Sequence, residues 1–238
     1  MRVILSRKGF DTGSGGAASP IIAGRPTSLP IPTGRRSRTS YADLGLGETV
    51  ERVTRGKIAR GHLCHEDPMF VGDECYFGQC SAAQSHLRNQ GVGVGDVFLF
   101  FGLFADEHTG ERHHRIFGYL RVAELLDPAM DRIGPLARPH PHTIGEWNSN
   151  NTIYRGLGRT ASSDDPALRL TQAGGPLRHW RVPAWLRSAG LSYHGKPERW
   201  LGEGKLEVVS RGQEFVTDIG TDAARHEWLN RMIEAIER

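Results

Sequence analysis

Two apolar runs separated by a polar stretch dominate the middle of the chain. The first run, 97–101, is short and rich in β-branched and aromatic residues, so it predicts a strand, and the second run, 116–126, predicts its partner. Both runs are apolar on both faces, which indicates strands inside the core rather than at a sheet edge. Gly95-Asp96 precedes the first run and is typical of a turn, because glycine accepts a positive φ and aspartate bonds nearby backbone.

Three other segments have the pattern of helices. Residues 82–89 predict a helix that ends before Gly91, and residues 48–55, which carry charges on most faces, predict a peripheral one. The clearest helix is 222–237, where Asp222 or Thr221 can cap the first turn. Its apolar stripe consists of Trp228, Leu229, Met232, Ile233 and Ile236.

The rest of the chain gives shorter patterns between long loops. Strands are predicted at 2–6, 167–170, 206–210 and 214–216, a helical turn at 180–187, irregular structure at 61–80 and loop at 127–165. We therefore expect an α+β fold in a single domain, 1–238. It would contain a mixed or antiparallel sheet or a partial barrel, with long loops and a C-terminal helix.

Composition and charge narrow the class of protein only slightly. The chain has 238 residues, a formal charge of +3 and a pI near 8.9, which permits contact with nucleic acid without requiring it. Arg25, Arg35, Arg36 and Arg38 form a basic cluster that is either a solvated loop or a phosphate-contacting one. The apolar start stops at Ser6, and no apolar run approaches the length of a membrane span, so we expect a soluble, cytoplasmic protein without a membrane partner.

Three cysteines raise the question of a zinc site. Cys64, Cys75 and Cys80 lie near His62 and His65, but their spacing is not the paired spacing of structural zinc sites. Reduced, mostly buried thiols are the preferred interpretation, and we assign no metal ligand from these residues.

Two clusters of polar residues lie in the first third of the chain. Ser6, Arg7 and Asp11 flank a glycine-rich loop whose N–H groups can cradle a phosphate, although a flexible loop is an equal alternative. His65 and Asp67 combine imidazole and carboxylate, which can perform acid–base chemistry; alternatively, Asp67 only makes a turn.

Two more clusters lie in the second half. His140 and His142 alternate between prolines, so both rings share a face and can form a metal-ligand pair or read a base, with Asn151 and Tyr154 nearby; the alternative is an ordered surface loop. Gln213 and Glu214 form the other cluster at a late strand, with Asp218 close by.

The centre of the chain resembles the core of the PUA-like group, which includes the EVE and ASCH domains. The resemblance is carried by L-R-x-x-G-V-G-x-G-D at 87–96 and by the order helix, Gly-Asp, strand, loop, strand over about 78–126. It implies a small β-barrel that holds nucleic acid or a flipped base.

A second resemblance extends over nearly the whole chain. The chain is similar to the third of the nucleotide modification associated domain families in segments at 3–11, 29–32, 64–68, 77–79, 93–102, 116–119, 140–142 and 212–216. That family occurs in bacteria and phages and is linked to DNA base modification by the genes that accompany it. The resemblance implies a process, with DNA or nucleotides and other modification-system proteins as partners, and it identifies no cofactor.

These observations predict a protein that acts on, or recognises, a nucleobase in a loop-lined cleft. The candidate catalytic residues are Arg7, Asp11, His65, Asp67 and Glu214. The candidate substrate-binding residues are Ser6, Gln79, His140, His142, Asn151, Tyr154 and Gln213. We lean towards an enzyme, a nucleobase- or nucleotide-modifying transferase.

Three alternatives remain open. A non-catalytic reader would clamp a base between aromatic rings, with Phe100, Phe104, Tyr119, Trp147 and Tyr154 as candidates. An ADP-ribosyl- or glycosyl-type transferase would use a carboxylate at an anomeric carbon. Gln213 and Glu214 are similar to the corner of ADP-ribosyltransferases, but adjacent strand residues face opposite sides, which weakens the likeness. The third alternative is a small-molecule binding protein.

Overall fold

The structure is a computed structural model that describes residues 1–134, 136–210 and 212–238. Its strands are β1 (Arg2–Arg7), β2 (Ser19–Ile22), β3 (Arg25–Pro26), β4 (Ile31–Pro32), β5 (Cys64–His65), β6 (Met69–Val71), β7 (Glu74–Gln79), β8 (Val97–Asp106), β9 (Arg112–Leu126), β10 (Thr152–Thr160), β11 (His179–Arg181), β12 (Trp200–Gly202), β13 (Lys205–Glu207) and β14 (Glu214–Asp218). Its helices are α1 (Gly47–Val53), α2 (Ser81–Asn89), α3 (Leu186–Ala189) and α4 (Ala223–Glu237), with short 3-10 turns at Pro141–Thr143, Pro166–Leu168 and Pro197–Arg199.

One mixed sheet forms the centre of the fold. Its strand order is β14-β1-β8-β9-β10-β7-β6, and β2 pairs with both β8 and β3. β1 and β2 run parallel to β8, whereas the remaining neighbours are antiparallel. The predicted α+β class with a mixed sheet and a C-terminal helix is confirmed. The described strands form an open path rather than the closed barrel that the PUA-like resemblance implied.

Both faces of this sheet are covered, as the two apolar runs predicted. Val97, Leu99 and Phe101 pack on one side with apolar residues of α4. Phe98 and Phe100 pack on the other side with residues that include Leu87 of α2. Because successive side chains of a strand point to opposite faces, an uninterrupted apolar run requires two cores, and β8 and β9 lie between them.

The predicted turn and C-terminal helix are confirmed in detail. Gly95 has a φ of +87°, and Asp96 accepts hydrogen bonds from the N–H groups of Arg2 and Gly93, so the turn also fixes the start of β1. Asp222 caps α4 by accepting from the N–H of Arg225. In the described chain, none of the helices combines the length and apolar character that crossing a membrane requires.

Several shorter predictions were wrong. Residues 61–80 are not irregular, because they contain all of β5, β6 and β7, and the predicted loop at 127–165 contains the interior strand β10. The predicted strand at 167–170 overlaps a 3-10 turn, and 180–187 holds the end of β11 and the start of α3. The helices at 48–55 and 82–89 correspond to α1 and α2.

Candidate functional site

A cavity of about 220 Å³ is lined by residues at the ends of β1 and β7 and by the loops after β5 and before β10. Many of the residues predicted for a site reach its wall. They are Arg7, Asp11, His65, Asp67, Gln79, His142 and Gln213. Distant segments of the sequence therefore share one cavity, which also holds His65 and His142 in the same wall as Asp67.

Asp67 lies at the centre of this cluster, and its two oxygens have different neighbours. Oδ1 accepts a 2.9 Å hydrogen bond from the N–H of Gly78 and lies 3.5 Å from Nε2 of His140. Oδ2 lies 3.5 Å from Nε2 of His65 and 3.6 Å from Nε2 of His142. Burial tends to raise the pKa of Asp67, but the imidazoles of His140 and His65 hold that pKa well below its usual range.

The orientation of the His142 ring is fixed by Asn151. The amide nitrogen of Asn151 donates to the carbonyl of His142 at 2.9 Å, so its Oδ1 is free to accept from Nδ1 of His142 at 2.6 Å. Nδ1 therefore carries the proton, and the Nε2 lone pair points towards Asp67. The ring stacks on Trp147 with centroids 4.1 Å apart, and burial lowers the pKa of His142 to about 4.

Gly78 provides the space for this ring. A Cβ atom on Gly78 would lie 2.3 Å from two atoms of the His142 imidazole, closer than any real contact allows. The absence of a side chain thus lets β7 approach the ring while its N–H binds Asp67.

The glycine-rich loop after β1 is ordered by Asp11. Oδ1 of Asp11 accepts from the N–H groups of Gly13 and Ser14 at 2.7 and 2.6 Å. These two amides are consequently occupied by a carboxylate of the chain itself, which disfavours the predicted phosphate cradle at this turn.

Arg7 connects this loop to a late segment of the chain. Its guanidinium donates to the carbonyl oxygens of Val209 and Ser210, both at 3.1 Å, and its buried Nε has no hydrogen-bond partner among the described residues. Burial lowers the pKa of Arg7, and the nearby Asp11 opposes that shift. Two of the five N–H donors of this guanidinium are therefore used within the protein.

Glu214 lies behind the cavity wall rather than in it. Only 1 % of its side chain is exposed, and Oε1 accepts from Nζ of Lys8 at 3.0 Å and from Nε2 of Gln79 at 2.9 Å. A catalytic carboxylate that contacts an anomeric carbon must be reachable, so this position does not fit that role. Glu214 instead positions Lys8 and Gln79, which both line the cavity.

Four other predicted residues are not part of the cavity wall. His140 and Asn151 lie behind Asp67 and His142. Ser6 and Tyr154 are fully buried, and the hydroxyl of Tyr154 donates to Gln84 at 3.0 Å, so direct contact of these two with a substrate does not fit the structure.

The aromatic clamp expected of a reader is largely missing. Phe100, Phe104, Tyr119 and Tyr154 are core residues with at most 1 % exposure. Only Trp147 reaches the cavity, where it is half-buried. From the sequence, Trp147 was predicted only as a clamp candidate, and Lys8, Gly78 and Cys80 were not predicted as residues of the wall.

The geometry also changes the view of metal ligands. His62 is exposed and accepts from the N–H of Ala59, while Cys64 is buried with a pKa raised to about 12 by burial, so these two do not converge with His65 on an ion. Over the described ranges, the grouping of metal-ligating side chains that does converge is His65, Asp67 and His142, whose ligand atoms lie within 4.8 Å of one another. The short His-x-Asp spacing at 65–67 was a usable signal, but the third residue, His142, lies far along the sequence from it.

Comparison with known families gives one match. The model described as nucleotide modification associated domain 3 matches residues 2–218, a range that includes the main sheet and every residue of the cavity wall. No curated protein and no solved structure matches the chain.

Proposed function

Because the chain belongs to the nucleotide modification associated domain 3 family, we propose that its cavity receives a nucleobase and that the protein modifies this base in DNA or in a nucleotide. The observation that carries the proposal is the convergence of Gln79, His65, Asp67 and His142 on one small cavity. At about 220 Å³ it is smaller than the roughly 300–1,000 Å³ of sites for drug-sized ligands, which suits a single flipped base.

Polar groups suited to a base edge lie in the wall. Gln79 presents an amide, the group that pairs with bases through one donor and one acceptor, and Gln213 presents a second. Gln79 is oriented by its bonds to Glu214 and to the N–H of Cys80, so it is held in place before a ligand arrives. Such preorganisation supports a specific ligand.

A basic rim supports contact with a phosphate backbone. The guanidinium of Arg36 lies 4.2 Å from the ring centroid of Trp147, which is a residue of the cavity wall. Arg35 and Arg38 belong to the same loop and are exposed. The position of these arginines beside the cavity favours a role in neutralising backbone phosphates.

Modification is favoured over reading by the chemistry of the wall. A reader needs free aromatic faces, but Trp147 already stacks on His142 and the other clamp candidates are in the core. Two imidazoles and a carboxylate, in contrast, are groups that move protons or bind a metal ion. The glycosyl-type transferase is disfavoured because Glu214 is not reachable.

The test is to incubate the protein with nucleotides, single-stranded DNA and duplex DNA, with and without NAD or nucleotide sugars, and to measure nucleoside masses. We expect a mass change with wild type and none with His65→Ala. Tight base-dependent binding without any mass change would establish a reader instead, and no binding at all would refute the proposal.

A matched pair of arginine variants tests the rim. Arg36→Ala is expected to weaken DNA binding and to reduce the slope of log affinity against log salt by about 1, as loss of one phosphate contact does. Arg187→Ala, an exposed arginine of α3 outside the cavity wall, should leave both unchanged. Equal effects of the two substitutions would contradict the proposal that this basic rim contacts phosphates.

A further inference from the structure

We propose that His65, Asp67 and His142 bind a divalent first-row transition metal ion whose remaining coordination positions face the cavity. The inference deepens the proposed function and rests on it for the identity of the group that meets the ion. The ion site itself rests on the geometry of the three side chains and of the residues that orient them.

The two carboxylate oxygens of Asp67 have different roles in the proposed site. Oδ1 is occupied by the N–H of Gly78, whereas Oδ2 has two imidazole nitrogens near it, at 3.5 and 3.6 Å, and both are too far for a good hydrogen bond. One carboxylate oxygen is thus held by the backbone and the other is directed at His65 and His142. A monodentate carboxylate ligand has this arrangement.

The tautomer of His142 gives the second argument. In the neutral ring, donation by Nδ1 to Asn151 leaves a lone pair on Nε2, and that lone pair faces Oδ2 of a buried carboxylate across 3.6 Å. Two lone pairs opposed in a buried site are unfavourable unless a cation lies between them. A histidine whose second nitrogen donates to a fixed oxygen is also the usual form of a metal-binding histidine.

His140 completes the surroundings. Its Nδ1 accepts from the N–H of His142 at 3.2 Å, so in the neutral ring Nε2 carries the proton, and it lies 3.5 Å from Oδ1 of Asp67. This ring is fully buried, and its Nε2 has no hydrogen-bond partner among the residues described. With its Nε2 proton facing Oδ1 of Asp67 and no other partner for it, His140 is a positioning residue for the carboxylate.

The distances and the donors indicate the class of ion. Ligand atoms about 2.1 Å from an ion are roughly 3.0 Å apart at right angles and about 3.4 Å apart in a tetrahedron. The separations of 3.5 and 3.6 Å between Oδ2 of Asp67 and the two imidazole nitrogens are close to the tetrahedral value, and all three ligand atoms lie within 4.8 Å of one another. Two imidazoles and one carboxylate are the ligands of catalytic zinc sites and of non-haem Fe(II) sites. Both kinds of site hold the ion with three protein ligands and leave coordination positions for water or substrate.

The experiment is a titration of chelator-treated protein with Co(II), followed by visible absorption and calorimetry without any nucleotide. We expect one ion per chain for wild type and for His62→Ala, a neighbouring exposed histidine that serves as the matched control. Asp67→Asn and His142→Ala should abolish this binding. Asn151→Ala should weaken it by about 10- to 100-fold, as loss of a partner that orients a ligand does.

Anaerobic competition between Fe(II), Mn(II) and Zn(II), with metal analysis of the protein after gel filtration, identifies the preferred ion. Circular dichroism of each variant separates loss of the site from loss of the fold. The proposal is overturned if wild type binds no ion, or if binding survives Asp67→Asn in a folded protein. Binding of an ion without any response to nucleotides would leave the metal site standing and refute only the proposed function.

Discussion

At the scale of single residues, Gly78 decides where the His142 ring lies. Gly78→Ala places a Cβ where two ring atoms are now 2.3 Å away, so the ring or β7 must move. We expect a loss of stability of about 1–3 kcal/mol, typical of overpacking, together with a marked loss of Co(II) affinity.

The control for this substitution is Gly61→Ala. Gly61 is exposed and has no atom within 4 Å of an added Cβ, so stability and Co(II) affinity should stay at the wild-type level. Chemical denaturation and the cobalt titration measure the two effects. Wild-type cobalt affinity in Gly78→Ala would show that the ring position is unimportant for the ion.

The Lys8–Glu214 pair is a second residue-scale feature. The two side chains are 10 % and 1 % exposed, so replacing one partner leaves a buried charge without its counterpart. Lys8→Met should cost about 3–5 kcal/mol of unfolding free energy, and Lys8→Met/Glu214→Gln should recover part of that loss.

The exposed pair Arg231–Glu227 on α4 provides the comparison for denaturation experiments. Glu227→Gln is expected to change the free energy of unfolding by no more than about 0.5 kcal/mol, since solvent screens such pairs. If Lys8→Met lowered the free energy of unfolding as little as Glu227→Gln, the Lys8–Glu214 pair would not organise the cavity wall.

At the scale of elements, α4 depends on its first turn. The carboxylate of Asp222 accepts from the N–H of Arg225, one of the amides that lack a partner within the helix. Asp222→Ala should lower the free energy of unfolding by about 1 kcal/mol, and Asp222→Ser should restore most of it, because serine also caps. Equal losses in both variants, measured by urea denaturation, would argue against the cap.

Some of the helices and strands could be predicted from the sequence, and others could not. α4 was found from its apolar stripe, α2 from the segment that ends before Gly91, and β8 and β9 from their continuous apolar runs, although β8 and β9 extend further than predicted. β10 was missed because Gly156 and Gly158 lower its strand propensity. The fold needs both glycines. A Cβ added at Gly156 would lie 2.0 Å from the carbonyl oxygen of Arg121, and one added at Gly158 would lie 2.4 Å from that of Tyr119.

At the scale of the whole molecule, the cavity could be predicted only in part. Local chemistry identified His65, Asp67 and His142 separately, and the family resemblance indicated that segments along the whole chain belong together. The position of Glu214 behind Gln79, and of Tyr154 in the core, depends on sheet order, which no local pattern carries. The assignment of 1–238 to one domain stays a prediction.

Stability of the molecule should fall in mild acid because of buried histidines away from the cavity. His113 and His114 lie on β9, and burial lowers the pKa of each to about 4. Arg169 and Arg115 add to the shift at His113, against Glu111 and Asp106, and Trp180 donates to Nδ1 of His114. Both rings are thus held neutral in the folded state.

The direction in which stability changes with pH follows from the protonation of His113 in the folded and unfolded states. An unfolded histidine gains its proton near pH 6.5, whereas the folded His113 gains it near pH 4, so lowering the pH through this window favours the unfolded chain. His113→Leu removes the titrating group without sacrificing a hydrogen bond, since neither ring nitrogen has a partner within the described residues. Between pH 7 and pH 4 the unfolding free energy of wild type should fall by up to about 3 kcal/mol more than that of His113→Leu. Parallel curves from denaturant melts across this range would show that His113 takes up its proton at the same pH in the folded protein as in the unfolded chain, against the lowered pKa.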